Sequence, residues 1–447
     1  MGKGLGRSEV LFGALPSVPQ TEFTKWHKRH FNVMTTPDMF PEPKHQSETV
    51  AFEPTRRAGL ERLEKFITRT GAHYAGQRNY DYGPTNRSSV SALSPWIKHR
   101  LITQEDVLTQ TLAHHSLSAS MKFVQEVFWR SYFKGWMEQH PSVWHGYLSG
   151  LEVAREAIES NKFHKTDYDE AIAGRTSIDC FDHWCDELKE TGYLHNHARM
   201  WFASIWIFTL RLPWELGAEF FLSHLIDGDP AANTLSWRWV GGLHTKGKSY
   251  LARPSNIAQF TDGRFDPVGQ LSPTAEPLVE DMDHPFVPLS AAQPMPQGEY
   301  VLLITSEDCQ PETYIRGSQI GVLGMLPTVD PKQSAQVRSF ETGAVADAIA
   351  RSGQKTAAVL STQDWATTLI EAAHKAGTNQ IITPWAAIGT VATQLDAAKT
   401  TLEQAGIHLH QQQRTYDTLT WPHATKGFFK LKKKIPSILN DLGFVDI

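Results

Sequence analysis

The chain has 447 residues, 40% apolar and 20% charged, with a formal net charge of −5 at pH 7. That length allows two or three domains, and the composition is that of a globular protein, which excludes disordered and fibrous classes. Three cysteines (Cys180, Cys185, Cys309) give no disulfide framework and are too few for an iron–sulfur cluster, so no metal and a reducing cytoplasm are expected.

The N-terminus has no apolar signal region, and Gly6 stands where a myristoylation site needs Ser or Thr. The run MWFASIWIFTL between Arg199 and Arg211 is short of the ~20 residues of a membrane span, so no membrane partner is expected. The negative charge does not favour nucleic acid, yet it leaves room for a local basic patch.

Residues 1–48 carry few periodic apolar positions and several prolines, and read as an arm. Thr55–Arg69 has helical spacing. The stretch YAGQRNYDYGPTNRSSVSALSPWIKHRLIT is polar and turn-rich and ends in a new helix start. Its Ser, Thr and Asn residues suit helix capping, the commoner use; backbone amides there can also hold a phosphate. Ser118–His140 predicts another helix, with Glu126, Trp129 and Arg130 on one face at i, i+3 and i+4. Spacing alone makes that face a surface ion pair beside a core tryptophan.

Two aromatic-rich helical segments follow, Arg199–Leu212 and Glu215–Leu225, then a loop dense in small and acidic residues. Arg199 heads the first segment; Asp227, Asp229 and Asn233 lie just past the second. An arginine and an aspartate brought together by helices are costly to bury unless they pair or hold a polar ligand. Up to about residue 260 the periodicity is helical throughout.

Gln270–Gly298 is proline-rich and reads as a linker. Beyond it YVLLITS, IGVLGML, TAAVLS, QIITPW and IHLHQ alternate with helical patterns, which predicts βαβ units on a parallel sheet. KGFFKLKKKIPSILNDLGF ends the chain in a basic amphipathic helix. Neither a GxGxxG after the first strand nor a GxxxxGK[ST] is present. The expected organisation is an arm (1–48), an all-helical domain (49–268), a linker (269–297) and an α/β domain (298–447).

The pair Arg199-Met200, the run Leu225-Ile226-Asp227-Gly228-Asp229 with Asn233, and Trp237-Arg238-Trp239 resemble, in order, the motifs of the cryptochrome/photolyase family. The resemblance runs from about Ala51 to Phe265 and is dense between Thr191 and Val240. It implies FAD folded into a U. Tyr74 and Ser91, Leu93 and Ser94 of VSALSPW would line its phosphates, and Arg199 and Asp227 would pair beside the flavin. Asp229 would face the flavin or ribose. Asn233 would face N5, where a neutral amide can donate or accept as protonation changes.

Family members that split cyclobutane pyrimidine dimers place a glutamate under the lesion and two tryptophans against its apolar face. Glu126, Trp129 and Trp239 match those positions, with Asn196 and Met200 completing the wall. Glu126, Arg130 and Asn196 also fall among the cofactor-binding positions, and Arg130 would hold Glu126 or a DNA phosphate. Trp237 and Trp214 match the inner members of the family's electron-transfer chain. The outer region, Asn161–Tyr168, offers Phe163 and Tyr168 but no tryptophan, which makes Trp201 or Trp206 a possible detour. Val90 replaces the family's usual Thr, and Arg100 a later Gly.

The resemblance thus implies an α plus α/β chain, a helical photolyase-like FAD-binding domain followed by a smaller parallel-sheet domain. Family members carry an α/β antenna domain before the FAD domain; here the α/β domain follows. A relocated antenna domain with a second chromophore and a merely structural partner are both open. The implied activity is FAD-dependent, light-driven splitting of cyclobutane pyrimidine dimers in UV-damaged DNA, single- or double-stranded, by a monomer. The alternatives are a cryptochrome-type blue-light photoreceptor that binds FAD without repair, and a flavin-containing structural protein. The intact lesion-pocket set favours repair, because a sensor has no need of it.

Overall fold

A computed structural model describes residues 47–315, 317–328, 330–353 and 359–444. The arm expected over 1–48 lies outside them but for its last two residues, as does the side chain of Phe163.

The first part is helical. Thr55 caps α1 (Arg56–Phe66) by accepting from the Ala58 amide, and a 3-10 turn continues it to Arg69. Short α2 (Ala72–Gln77) and α3 (Ser94–Lys98) follow. A reciprocal capping box between Thr103 and Asp106 opens α4 (Gln104–His114). The long α5 (Leu117–Glu138) is capped by Ser116. Next come α6 (Ser142–Ser160), α7 (Lys162–Ala173) and α8 (Asp179–Thr191). The helix expected from Arg199 starts earlier, as α9 (Asn196–Ser204), because His195 Nδ1 accepts from the His197 amide at its head. It runs into a π-helical turn at Ile205–Thr209. α10 (Trp214–His224), α11 (Pro230–Gly241) and α12 (Pro254–Phe260) complete this part.

No helix or strand forms between Phe260 and Tyr300 among the described residues. The proline-rich stretch nevertheless lies against the helices: Leu278 N donates to Gly241 O at 2.8 Å, Val287 N to Gln139 O at 2.8 Å, and Glu280 pairs with Arg238.

The second part is a parallel sheet of β1 (Tyr300–Ile304), β2 (Gln319–Leu326), β3 (Val359–Ser361), β4 (Gln380–Pro384) and β5 (His408–Gln412) in the order β3-β2-β1-β4-β5. Around it lie α13 (Ala335–Arg351), α14 (Trp365–Ala376), α15 (Thr390–Gln404), α16 (Thr415–Thr420), α17 (Phe429–Lys432) and α18 (Ile435–Asp441). β1 is buried along its whole length, as expected of a central strand covered on both faces. Its side chains alternate between cores: Val301 and Leu303 pack with Leu369 and Leu395 under α14 and α15. Leu302 and Ile304 enter a core that also holds Phe66, Phe128 and Tyr132 of the helical part. The two parts therefore share one core. Gly135 in α5 marks how close they come, since a Cβ there would lie 2.8 Å from Trp421.

The strand order reverses between β1 and β4, the place where loops leaving such a sheet open a crevice. The loop after β1, Thr305–Cys309, leaves that edge and enters the helical part. His99 grips it, with Nδ1 2.7 Å from Ser306 O and Nε2 3.1 Å from Ile226 O.

Candidate functional site

α11 packs against α5, α9 and α10, and this brings the dispersed motif residues into one region. The loop Leu225–Asp229 connects them, fixed by Ile226 N donating to Gly192 O at 2.9 Å. Asp229 caps α11: its Oδ1 accepts from Ala232 N at 2.8 Å. Its Oδ2 lies 3.1 Å from Lys134 Nζ and 3.8 Å from Arg130 Nη1. Burial works to raise the Asp229 carboxyl, and the cations of Lys134 and Arg130 outweigh it, so Asp229 stays ionised well inside the protein.

Arg199, on α9, donates from Nη2 to Asp227 Oδ2 at 2.9 Å and from Nε to Leu194 O at 3.0 Å. The Asp227 side chain is 2% exposed and that of Arg199 23%. Burial pushes the Asp227 carboxyl up, but Arg199 and Arg130 pull it below its ordinary value, with Ser94 at the head of α3 adding to that pull. Asn233 Nδ2 donates to Ala218 O of α10 at 2.9 Å, which orients its amide. The turn carrying Ser91 and Leu93 is held from behind by Arg62, which donates to Ser91 O at 2.7 Å and Val90 O at 3.1 Å. Leu93 is buried.

Several polar atoms here are buried without a well-formed hydrogen bond: Asp227 Oδ1, Arg130 Nη1, Thr234 Oγ1 and Trp237 Nε1. Buried polar groups rarely stay unpaired in a native fold. Donors and an acceptor left over in one helical region suit a polar, planar group such as the flavin ring of FAD, which carries both carbonyls and an N–H. Arg199, Asp227, Asp229 and Asn233 would hold it.

On α5, Glu126 pairs with Arg78, at the C-terminus of α2, rather than with Arg130. Arg130 turns inward to the desolvated charge of Asp229, which leaves its side chain 15% exposed and badly placed for a DNA phosphate. Glu126 is a third exposed, and burial raises its carboxyl against the pull of Arg78. Tyr74 is buried beside the same pair and packs edge-on against Phe123 at 5.0 Å. Trp129 is half-buried, with one face stacked on Phe428 at 3.8 Å. Asn196 and Met200 lie together on α9, Nδ2 to Sδ 4.0 Å. Trp239 is 38% exposed and stacks on Tyr250 at 5.5 Å.

Among the tryptophans, Trp237 makes its ring contacts with Phe221 at 5.1 Å and Trp206 at 6.2 Å, with Gly217 pressed so closely that a Cβ there would be 2.3 Å from the indole. Trp206 in turn meets Tyr168, a half-buried residue of α7, at 6.1 Å. Trp214 contacts Tyr147 at 5.6 Å.

Arg78, Lys134 and Glu307 were not singled out from sequence. Glu307, from the loop after β1, lies 3.1 Å from both Lys98 and Lys134 and so stands one residue away from Asp229. The spacing of Lys134 from Arg130, i+4 on one helix face, was a signal for that lysine. Nothing in the local sequence marks Glu307, because its partners lie far away along the chain. No described helix is long and apolar enough to cross a membrane, and no group of His, Cys, Asp or Glu among the described residues could hold a metal ion.

Residues 123–292 match the family of the FAD binding domain of DNA photolyase. The deoxyribodipyrimidine photo-lyase of Escherichia coli (strain K12) is 27% identical over 210 residues, 47% of this chain and 44% of that protein. The enzyme of the same name from Synechococcus sp. is 31% identical over 194 residues, 42% of this chain and 38% of that protein. The chain thus spans less than half the length of either relative. Among solved structures, a cryptochrome of Synechocystis sp. PCC6803 aligns at 23% identity and TM-score 0.39, over 49% of this chain and 46% of that one. FAD is the cofactor of the matched domain. Through residues 123–292 the chain resembles the cryptochrome/photolyase family in its FAD-binding domain.

Proposed function

We propose that the chain is a light-driven DNA lyase that splits cyclobutane pyrimidine dimers. When bound, reduced FAD excited by blue light supplies one electron to the dimer and recovers it once the ring has opened. The observation that carries this reading is Glu126: a carboxyl raised by burial, yet a third exposed, beside Trp129 and held by Arg78. In its protonated form, which burial favours, such a group can donate to a pyrimidine carbonyl and stabilise negative charge as it develops there.

The remaining residues bind and orient. A dimer inside a duplex must be flipped out, at a cost of a few kcal/mol that is lowest for damaged bases. Trp239, exposed where most tryptophans of the chain are buried, offsets part of that cost by stacking, worth ~1–3 kcal/mol per base. Trp129 walls the pocket from the side opposite Phe428, and Asn196 and Met200 close it. Arg199, Asp227, Asp229 and Asn233 hold the cofactor, and Trp237 serves as its first electron donor.

Two variants separate the roles. Glu126→Gln should keep the affinity for a dimer-containing oligonucleotide and lose much of the repair yield. Trp239→Ala should lose lesion affinity. Equal loss of binding in both variants contradicts the assignment of Glu126 to the chemistry.

A further inference from the structure

The segment that links α16 to α18 carries five lysines, Lys426, Lys430, Lys432, Lys433 and Lys434, and no acidic residue occurs between Asp417 and Asp441. All but Lys432 are exposed. None of the five forms an ion pair with a carboxylate among the described residues; Lys430 Nζ donates to Thr425 Oγ1 at 2.7 Å, and Lys432 Nζ sits 5.8 Å from the ring of Phe429. Phe429 itself is 72% exposed, a large aromatic ring in water. A charge run of this kind is usually just a solvated face. Here its position argues for more.

The segment is anchored on Trp129, a wall of the proposed lesion pocket. Phe428 stacks flat on Trp129, centroids 3.8 Å apart with the planes 12° from parallel, and meets Tyr132 edge-on at 5.8 Å. Leu431 and Ile435 are fully buried beneath, so the lysines are turned outward beside the helix that carries Glu126. We propose that Lys426–Lys434 is the flank on which a nucleic-acid backbone docks, with the lysines on successive phosphates and Phe429 stacked on an unpaired or flipped-out base. The proposal rests on the repair reading for the choice of partner.

The chemistry favours nucleic acid over a lipid surface. Ammonium point charges clustered on one segment suit a run of phosphates, and their neutralisation releases counterions. An interfacial membrane helix needs a free apolar face, and here the apolar side chains of α17 and α18 are spent on the core. Phe429 alone remains outside.

The test uses the full-length, FAD-loaded protein. Affinity for an oligonucleotide, with and without one cyclobutane dimer, is measured against salt for wild type, for Lys430→Gln/Lys432→Gln/Lys433→Gln/Lys434→Gln, and for the milder Lys433→Gln/Lys434→Gln. Each lost phosphate contact should flatten the slope of log K against log salt by about 0.9 on duplex or about 0.7 on single strand. The quadruple variant should therefore flatten it by roughly 2 to 4, on damaged and undamaged DNA alike, with the preference for the lesion retained. Phe429→Ala should weaken binding to single strands without changing the slope. Unchanged slopes in both lysine variants, beside a wild type that binds DNA, overturn the proposal and leave the repair reading standing. A wild type that binds vesicles containing phosphatidylserine through these lysines, and no DNA, overturns both.

Discussion

Asp227 is the residue on which the proposed cofactor site turns. It is the more buried partner of Arg199, and one of its oxygens is left without a well-formed hydrogen bond. Removing one partner of a buried ion pair costs ~3–5 kcal/mol, and the part of Arg199 that still reaches water should keep Asp227→Ala near the lower end. The variant should purify soluble but with little flavin, as read from the ratio of visible to ultraviolet absorbance; full flavin content contradicts the role. Trp237 is the second such residue. Trp237→Phe should greatly slow light-driven reduction of the bound flavin. Because Trp237 makes ring contact with Trp206 and not with Trp214, Trp206→Phe should slow it more than Trp214→Phe, and Tyr168→Phe should remove any tyrosyl radical from the transient spectrum. Equal effects of Trp206→Phe and Trp214→Phe would rule out the Trp206 route.

At the scale of elements, the loop Thr305–Cys309 decides how the sheet meets the helices. Glu307 is held between Lys98 and Lys134, while Asp308 takes Arg414 at 2.6 Å and Arg100 at 3.3 Å. Arg100 has φ 49°, a left-handed backbone that an ordinary side chain adopts at some cost, which fits a position where the resembling family has glycine. Its guanidinium also reaches Asp417 at 2.6 Å, so the substitution fastens the two parts together. Burial works to raise the Glu307 carboxyl, but the two lysines hold it well below its ordinary 4.5. A lowered folded value means stability that is complete above 4.5 and is lost as pH falls toward that folded value. Glu307→Gln should therefore lower Tm most at neutral pH, and the gap to wild type should narrow on acidification below about 4.5. A gap that widens instead contradicts the buried ion pair. The helices themselves were legible from periodicity and caps: α1, α5, α10 and the five strands lie within a few residues of where apolar spacing put them. The charge cluster was not, since its members are joined by the fold and are distant in sequence.

At the scale of the molecule, the resemblance pointed to one region, and the fold brings its residues to α3, α5, α9 and α11. It missed Arg78 as the partner of Glu126, because an i+4 neighbour on the same helix looked sufficient and the inward pull of Asp229 on Arg130 could not be read locally. It left the α/β part open between a relocated antenna domain and a structural partner. In the structure the sheet shares a core with α5, sends Glu307 toward Asp229 and lays Phe428 on Trp129, so the helical region is walled partly by residues far downstream in the chain. Repair is decided by reduced protein, blue light and an oligonucleotide carrying a single cyclobutane dimer, presented as single strand and as duplex, with a dark control. Restored pyrimidines in the light and none in the dark are the predicted result. A dimer left intact on both substrates by flavin-loaded, reduced protein would contradict the repair reading and leave a photoreceptor in its place.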